Sequence, residues 1–338
     1  MKTTVGKPII AITMGDAAGI GPELIVKLLS DRSVHKRCAP VVVGDPETLR
    51  KNATILGADL HFAAVERLSD ARFSPEVIDV LQPAGLRIGS IPWGRMNAAT
   101  GRAAAMCLQH AFQLAMEDKV HGVVSAPLNK EAFHLAGYEF FDELAFLADL
   151  THSTETFTLG VASSIWTIAL AEHVPFAEIA GKITRTKVLW CIHKMHGALE
   201  KAGFAAPRIG VAALNVHGGE GGLFGHEEID EIEPAIQEVR QRGIMVQGPV
   251  PADVIFVRAL AGDFDGLVYM YHDQANIARK LQPRLAGATL LMGLPVVCGT
   301  TAHGTAFDVA GKGIADPGSL HAALEYTIRL STESATQA

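Results

Sequence analysis

Pro8-Ile9-Ile10-Ala11-Ile12-Thr13-Met14-Gly15, running directly into Asp16-Ala17-Ala18-Gly19-Ile20-Gly21-Pro22-Glu23, decides the fold class. A short unbroken apolar run rich in β-branched residues reads as a strand buried on both faces. Glycines then break the strand, and Pro22 suits the first turn of a helix over 21–31, GPELIVKLLSD. The strand-to-turn pattern returns at APVVVGD (39–45), HGVVSAPL (121–128), WTIALAEH (166–173), RIGVAALNVHG (208–218), DGLVYMYHD (265–273) and ATLLMGLPVV (288–297). Helical spacing fills 97–118, 184–203 and 226–243, with Gly203 and Gly243 where C-caps belong. This rhythm predicts an α/β protein with a largely parallel, buried sheet, and such sheets bind ligands at the C-terminal ends of their strands. No internal repeat or low-complexity linker interrupts it, and the closing STESATQA reads as a frayed polar tail.

The chain has 338 residues, 49% hydrophobic and 19% charged, enough for two α/β lobes. A net charge of −7 gives no basic footprint for nucleic acid. No apolar run reaches the roughly 18 residues of a membrane span. The opening MKTTVGKPIIAITMGD enters a strand rather than a signal-peptide cleavage region, so a cytoplasmic protein is expected. Cys38, Cys107, Cys191 and Cys298 are scattered without a C-x-x-C pair, the pattern of reduced thiols rather than of disulfides or a thiolate metal site.

Among the fourteen histidines, His173, His217 and His272 each follow directly on a β-rich run. Neutral imidazoles suit divalent first-row metals, and three protein ligands leave a coordination position open for a reactant. Taken singly, each such histidine is more often a hydrogen-bonded structural residue; three at equivalent strand ends point to a catalytic metal. Asp253 and Asp273 can orient such imidazoles, although aspartate is also a common helix cap. Lys280 can meet an anion or an alcohol. The turn at 15–23 is not the G-x-G-x-x-G fingerprint and reads equally as a tight strand-to-helix connection. In Ala302-His303-Gly304-Thr305-Ala306-Phe307-Asp308-Val309-Ala310-Gly311-Lys312-Gly313, permissive glycines stand beside hydroxyl, imidazole and carboxylate groups, a composition that fits nucleotide binding and also a plain helix entry.

MGDAAGIGPE, SAPLNKEA, LNVHGGEGGLFGHEE, PADVIF, MYHDQ, GLPV and AHGTAFDVAGKG, in this order, resemble the 4-hydroxythreonine-4-phosphate dehydrogenase family over nearly the whole chain. The resemblance implies an isocitrate/isopropylmalate dehydrogenase-like fold, two interleaved α/β subdomains flanking a cleft. One catalytic unit would then span 1–330, with 331–338 as a tail. It also implies a homodimer whose active sites use both subunits, with a divalent metal held by His173, His217 and His272. Zinc is the expected ion, and magnesium, manganese or cobalt is compatible. Asp253 and Asp273 would support the site, Lys280 would contact substrate, and His303, Gly304, Thr305, Ala306 and Asp308 would lie near NAD or NADP.

Where the family carries a histidine-threonine pair, an asparagine and an arginine, this chain has Glu143-Leu144, Thr289 and Cys298. Arginine pairs bidentately with phosphate, whereas a glutamate repels it. The expected activity is therefore metal-assisted oxidation of a secondary alcohol, with decarboxylation to follow if the product is a β-keto acid. The substrate is either the phosphate ester or a relative: 4-phospho-D-threonate, 4-phospho-erythronate or an unphosphorylated dihydrodiol dicarboxylate. Arg279 or Arg284 would be the replacement anchor for a phosphate. Lys280, Asp273 and Asp253 are the candidates for proton handling and orientation. The competing reading of another class is a non-catalytic metal- or nucleotide-binding relative. An acyl-phosphate transferase-like enzyme is disfavoured because it gives the three histidines no common purpose.

Overall fold

The computed structural model describes residues 6–89, 91–163, 165–282 and 287–336. Among these residues are twelve strands: β1 (Ile9–Thr13), β2 (Ala39–Val43), β3 (His61–Val65), β4 (Val77–Leu81), β5 (Gly122–Ser125), β6 (Phe157–Ala162), β7 (Ile165–Ala171), β8 (Ile209–Ala212), β9 (Val246–Val250), β10 (Gly266–Tyr271), β11 (Ala288–Met292) and β12 (Cys298–Thr301). The chain divides into two compact units, Met1–Thr158 with Ala288–Ala338, and Leu159–Gly287.

In the first unit the strand order is β3-β4-β2-β1-β5-β12-β11. All neighbours run parallel except β11 and β12, which are antiparallel. The apolar run at 9–13 is central and buried on both faces, as its composition requires. Ile10 and Ile12 pack with Leu24, Ile25 and Leu28 of the helix Gly21–Ser30, and Ile9 and Ala11 pack with Ala104, Leu108 and Phe112 of the helix Ala98–Met116. Asn97 caps the latter, its Oδ1 accepting the Thr100 N–H at 3.0 Å. The helix Gly318–Thr336 carries the chain through most of the expected frayed tail. Ser331 is buried there, and its hydroxyl lies within hydrogen-bonding distance of the Thr327 and His121 carbonyls, which gives the polar sequence a helical anchor.

In the second unit the order is β6-β7-β10-β8-β9. The β7, β10, β8 and β9 neighbours are parallel, and β6 pairs antiparallel with β7. Gly203 and Gly243 adopt φ of +83° and +85° just beyond the helices Arg185–Lys201 and Glu233–Gln241, as their positions predicted. The helical pattern at 226–243 opens instead on a wide π turn, Glu228–Ile232. Pro234, which has no N–H for an ordinary helical bond, follows immediately. All four cysteines are free and buried. No helix among the described residues is long and apolar enough to cross a membrane.

Candidate active site

Parallel pairing explains how residues distant in sequence meet in the second unit. Tyr271 at the end of β10 is in register with Ala171 at the end of β7, so the two chains leave the sheet at one edge. His173 and His272 follow, and their ring centroids lie 5.9 Å apart with an interplanar angle of 41°. His272 opens the helix His272–Lys280, and its Nδ1 lies 2.7 Å from Asp273 Oδ1. An imidazole that donates Nδ1–H to a carboxylate presents its lone pair on Nε2, the arrangement typical of a metal-ligating histidine.

His217 follows β8, the other neighbour of β10. It is exposed, and its Nδ1 lies 3.0 Å from Glu220 Oε1, so it has the same carboxylate-backed arrangement. His217 does not join the other two within one chain. Among the described residues, no set of three histidine, cysteine or acidic side chains surrounds a common point. Asp253 is exposed in the first turn of the helix Ala252–Leu260, and Lys280 is exposed at the end of the helix His272–Lys280. Among the described residues, neither has a contact like that between Asp273 and His272. Sequence reasoning missed Gln274, whose Nε2 donates to the Ala213 carbonyl at 3.0 Å and whose Oε1 accepts the Met270 N–H at 3.0 Å.

The residues that depart from the family pattern lie in the first unit. Asp142 caps the helix Glu143–Thr151, its side chain accepting the Ala145 N–H at 2.8 Å. That sets Glu143 on the first turn, where Oε2 accepts from the Thr300 hydroxyl at 3.3 Å. Its Oε1 is sealed from solvent and has no hydrogen-bond partner among the described residues. Burial pushes the Glu143 carboxyl from an ordinary 4.5 up to about 7, against the opposing effect of the Ser125 and Thr300 hydroxyls. Thr289 of β11 stands opposite Thr300 of β12, and Leu291 stands opposite Cys298. The Cys298 thiol is raised well above its usual value by burial and by the Glu143 charge. Leu144 and Cys298 both pack in the apolar core, where Leu144 joins Phe133 and Phe146. Their positions explain packing more directly than substrate contact. Arg279 is partly buried, with its guanidinium occupying the space that a Cβ on Gly160 would need. Arg284 lies outside the described residues.

Three loops of the first unit interlock around the expected nucleotide segment. The Ile20 N–H donates to the Thr305 carbonyl at 3.1 Å, joining the turn after β1 to the segment after β12. Glu23 Oε1 accepts the Ala315 N–H at 2.8 Å, and Lys27 Nζ donates to the Gly313 carbonyl at 3.0 Å. The Gly94 N–H donates to the Ala18 carbonyl at 2.8 Å, and Gly311, at φ +76°, lies directly against the Trp93 indole. Thr305 is thereby buried, Ala306 turns at φ +42°, and His303, Gly304 and Asp308 are left exposed. A cavity of about 270 Å³ opens alongside, lined by Trp93, Pro92, Ile88, Lys51, Asn52 and Thr48. With Ala17 of the turn after β1, its residues come from three segments separated in sequence, and the residues from 48 to 93 carry no motif.

A sequence model described as pyridoxal phosphate biosynthetic protein PdxA matches residues 36–327. The chain is 43% identical to the D-threonate 4-phosphate dehydrogenase of Cupriavidus necator, over 97% of this chain and 98% of that protein. A crystal structure of a 4-hydroxythreonine-4-phosphate dehydrogenase from Burkholderia phymatum superposes with a TM-score of 0.82 at 40% identity, covering 96% of this chain and 98% of that one. A terephthalate 1,2-cis-dihydrodiol dehydrogenase from Burkholderia xenovorans gives a TM-score of 0.64 at 28% identity, covering 96% and 98%. The chain belongs to the PdxA family and is an oxidoreductase of mixed α/β fold.

Proposed function

We propose that this chain oxidises a secondary alcohol of a small hydroxylated acid, passing hydride to NAD or NADP with the help of a divalent metal, as a cytoplasmic homodimer. The observation that carries the reading is the His173–His272 pair with Asp273 on the His272 Nδ1. These groups fit a metal, because His272 and His217 are each engaged by a carboxylate at Nδ1 and keep Nε2 for a ligand bond. His173 and His272 of one subunit and His217 of a second would hold the ion, with zinc the first expectation and magnesium, manganese or cobalt compatible. When bound, the ion supplies Lewis acidity that lowers the pKa of the alcohol to be oxidised.

The chain's own groups set the rest. Asp273 fixes the tautomer and direction of His272, while Asp253 and Lys280 supply charge for orienting a substrate or handling its proton. The exposed His303, Gly304 and Asp308, held in place through Thr305, offer backbone and side-chain groups to a dinucleotide. The neighbouring cavity adds an aromatic wall and the Lys51 ammonium.

The relatives' names point to a 4-phosphate ester, either D-threonate 4-phosphate or 4-hydroxythreonine-4-phosphate. Glu143, a carboxyl set beside Asp142 and the Ser125 and Thr300 hydroxyls where the family carries a phosphate-side pair, favours a second reading in which the substrate has no phosphate, as with a dihydrodiol dicarboxylate. Nicotinamide reduction measured with both phosphate esters, their unphosphorylated counterparts and cis-dihydrodiol dicarboxylates, with and without chelator, tests the proposal. Turnover that chelator abolishes is expected. Turnover indifferent to chelator removes the metal from the reading, and reduction with none of these substrates removes the substrate class.

A further inference from the structure

We propose that Glu228 is a positioning residue that fixes the direction of the His217 imidazole through the backbone of the turn carrying it; this rests on the reading of His217 as a ligand. After β8 the chain leaves the sheet, and its N–H groups need new acceptors. Glu228 Oε1 accepts both the Leu214 and Asn215 N–H groups at 2.8 Å. Its Oε2 accepts from Asn215 Nδ2 at 2.9 Å, and Glu227 accepts from the same amide at 2.6 Å. Glu228 is a fully buried carboxylate, 1% exposed, and these N–H donors compensate its burial.

The turn it holds is a rare one. His217, Gly218, Gly219, Glu220, Gly221 and Gly222 have φ of +51°, +72°, +78°, +48°, +66° and +98°. Glycine adopts this conformation freely, but each non-glycine residue in it costs roughly 1–2 kcal/mol. His217 and Glu220 are therefore strained, and such strain persists only where the surroundings enforce it. Glu228 meets the turn at two points: it accepts the N–H groups before His217, and its Oε2 lies so close to Gly219 within the turn that a Cβ there would come within 2.9 Å of it. The strained residues are the two whose side chains bond to each other, His217 Nδ1 to Glu220 Oε1. The backbone that Glu228 clamps thus sets where the remaining ring nitrogen points.

A glutamine at 228 can still accept through its single oxygen, but its NH₂ then meets the Asn215 NH₂, donor against donor. The test uses the full-length protein as wild type, Glu228→Gln and His217→Ala, with Asn215→Ala as the milder variant should Glu228→Gln fail to fold. The first readout is the His217 ring resonance in a carbon–proton correlation spectrum of histidine-labelled protein, assigned by its loss in His217→Ala. The second is Co²⁺ affinity by calorimetry. Glu228→Gln is expected to move the His217 resonance toward that of an unstructured histidine. It is also expected to weaken Co²⁺ binding by about 10-fold or more, the range seen when groups supporting a metal ligand are removed. An unmoved His217 resonance in folded Glu228→Gln overturns the positioning role. A moved resonance with Co²⁺ affinity unchanged in both Glu228→Gln and His217→Ala upholds that role and overturns the reading of His217 as a ligand.

Discussion

Gln274 bridges two strand ends, its Nε2 donating to the Ala213 carbonyl and its Oε1 accepting the Met270 N–H, each at 3.0 Å. It thereby ties the helix that begins at His272 to the chain that leads from β8 toward His217. Replacing Gln274 with Ala leaves a carbonyl and an N–H without their partners, at a cost of about 1–3 kcal/mol each if water does not replace them. Urea denaturation should show a lowered midpoint at constant slope, and metal affinity should fall as well, since the link between the two histidine-bearing segments is lost.

His173→Ala and His272→Ala should each lower metal-dependent turnover by about 100-fold or more, because loss of Lewis acidity at the alcohol forfeits several kcal/mol of transition-state stabilisation. Asp273→Asn should act more mildly, by about 10- to 100-fold in metal affinity, since it loosens the ring without removing a ligand. Thermal melts of the metal-free proteins should stay close to wild type, because these side chains are exposed or only half-buried. Wild-type turnover in all three variants would separate the pair from catalysis.

Glu143 gives the first unit a pH dependence whose sign follows from its burial. Its folded-state value of about 7 lies above the ordinary 4.5, so between these values the folded protein holds a proton that the unfolded chain has released. Its contribution is fully present below about pH 4.5 and is lost as pH rises to about 7. The loss is at most about 3 kcal/mol. Glu143→Gln should flatten this part of the stability-versus-pH curve and make the protein more stable than wild type at pH 8. Denaturant midpoints at pH 5, 6, 7 and 8 measure it, and an unchanged slope in the variant would place the titration elsewhere.

Gly311 has no room for a Cβ beside the Trp93 indole. Gly311→Ala must displace the indole at a cost of about 1–3 kcal/mol, the usual penalty for overpacking, with further strain from the positive φ. If the dinucleotide lies along this segment, the variant should raise KM for nicotinamide dinucleotide more than it changes kcat, and Trp93 emission should shift. A shift in emission without a change in KM would separate the cavity from the cofactor.

The parallel core was legible because strands such as 9–13 and 266–271 must be apolar on both faces when helices cover both, and short apolar runs show this directly. β3, β4, β6, β9 and β12 were not read from the sequence. His61–Val65 has only the short, alanine-diluted apolar run Phe62–Val65 and is partly exposed, and Val246–Val250 is broken by Gly248 and Pro249. The strand-end positions of the three histidines could be read from spacing, and the meeting of His173 with His272 follows from the register of β7 and β10, which no single sequence states. Glu228 and Gln274 close the motifs LNVHGGEGGLFGHEE and MYHDQ, yet their roles were not readable, because each acts through backbone groups brought close only by folding, and the Trp93 cavity is likewise assembled from segments distant in sequence. Leu144 and Cys298 show the converse: aligned motifs nominated them for the substrate pocket, but their side chains pack in the core.

If two chains complete one metal site, subunit exchange between damaged chains rebuilds it. His217→Ala and His272→Ala proteins, each unable to retain zinc, are mixed under mild denaturation, refolded and dialysed, and bound zinc is counted. If each site takes its histidines from both chains, random exchange makes about half the dimers mixed, and each mixed dimer rebuilds one intact site. About one zinc ion per four chains is expected in the mixture. A mixture that retains no more zinc than either variant alone would contradict it.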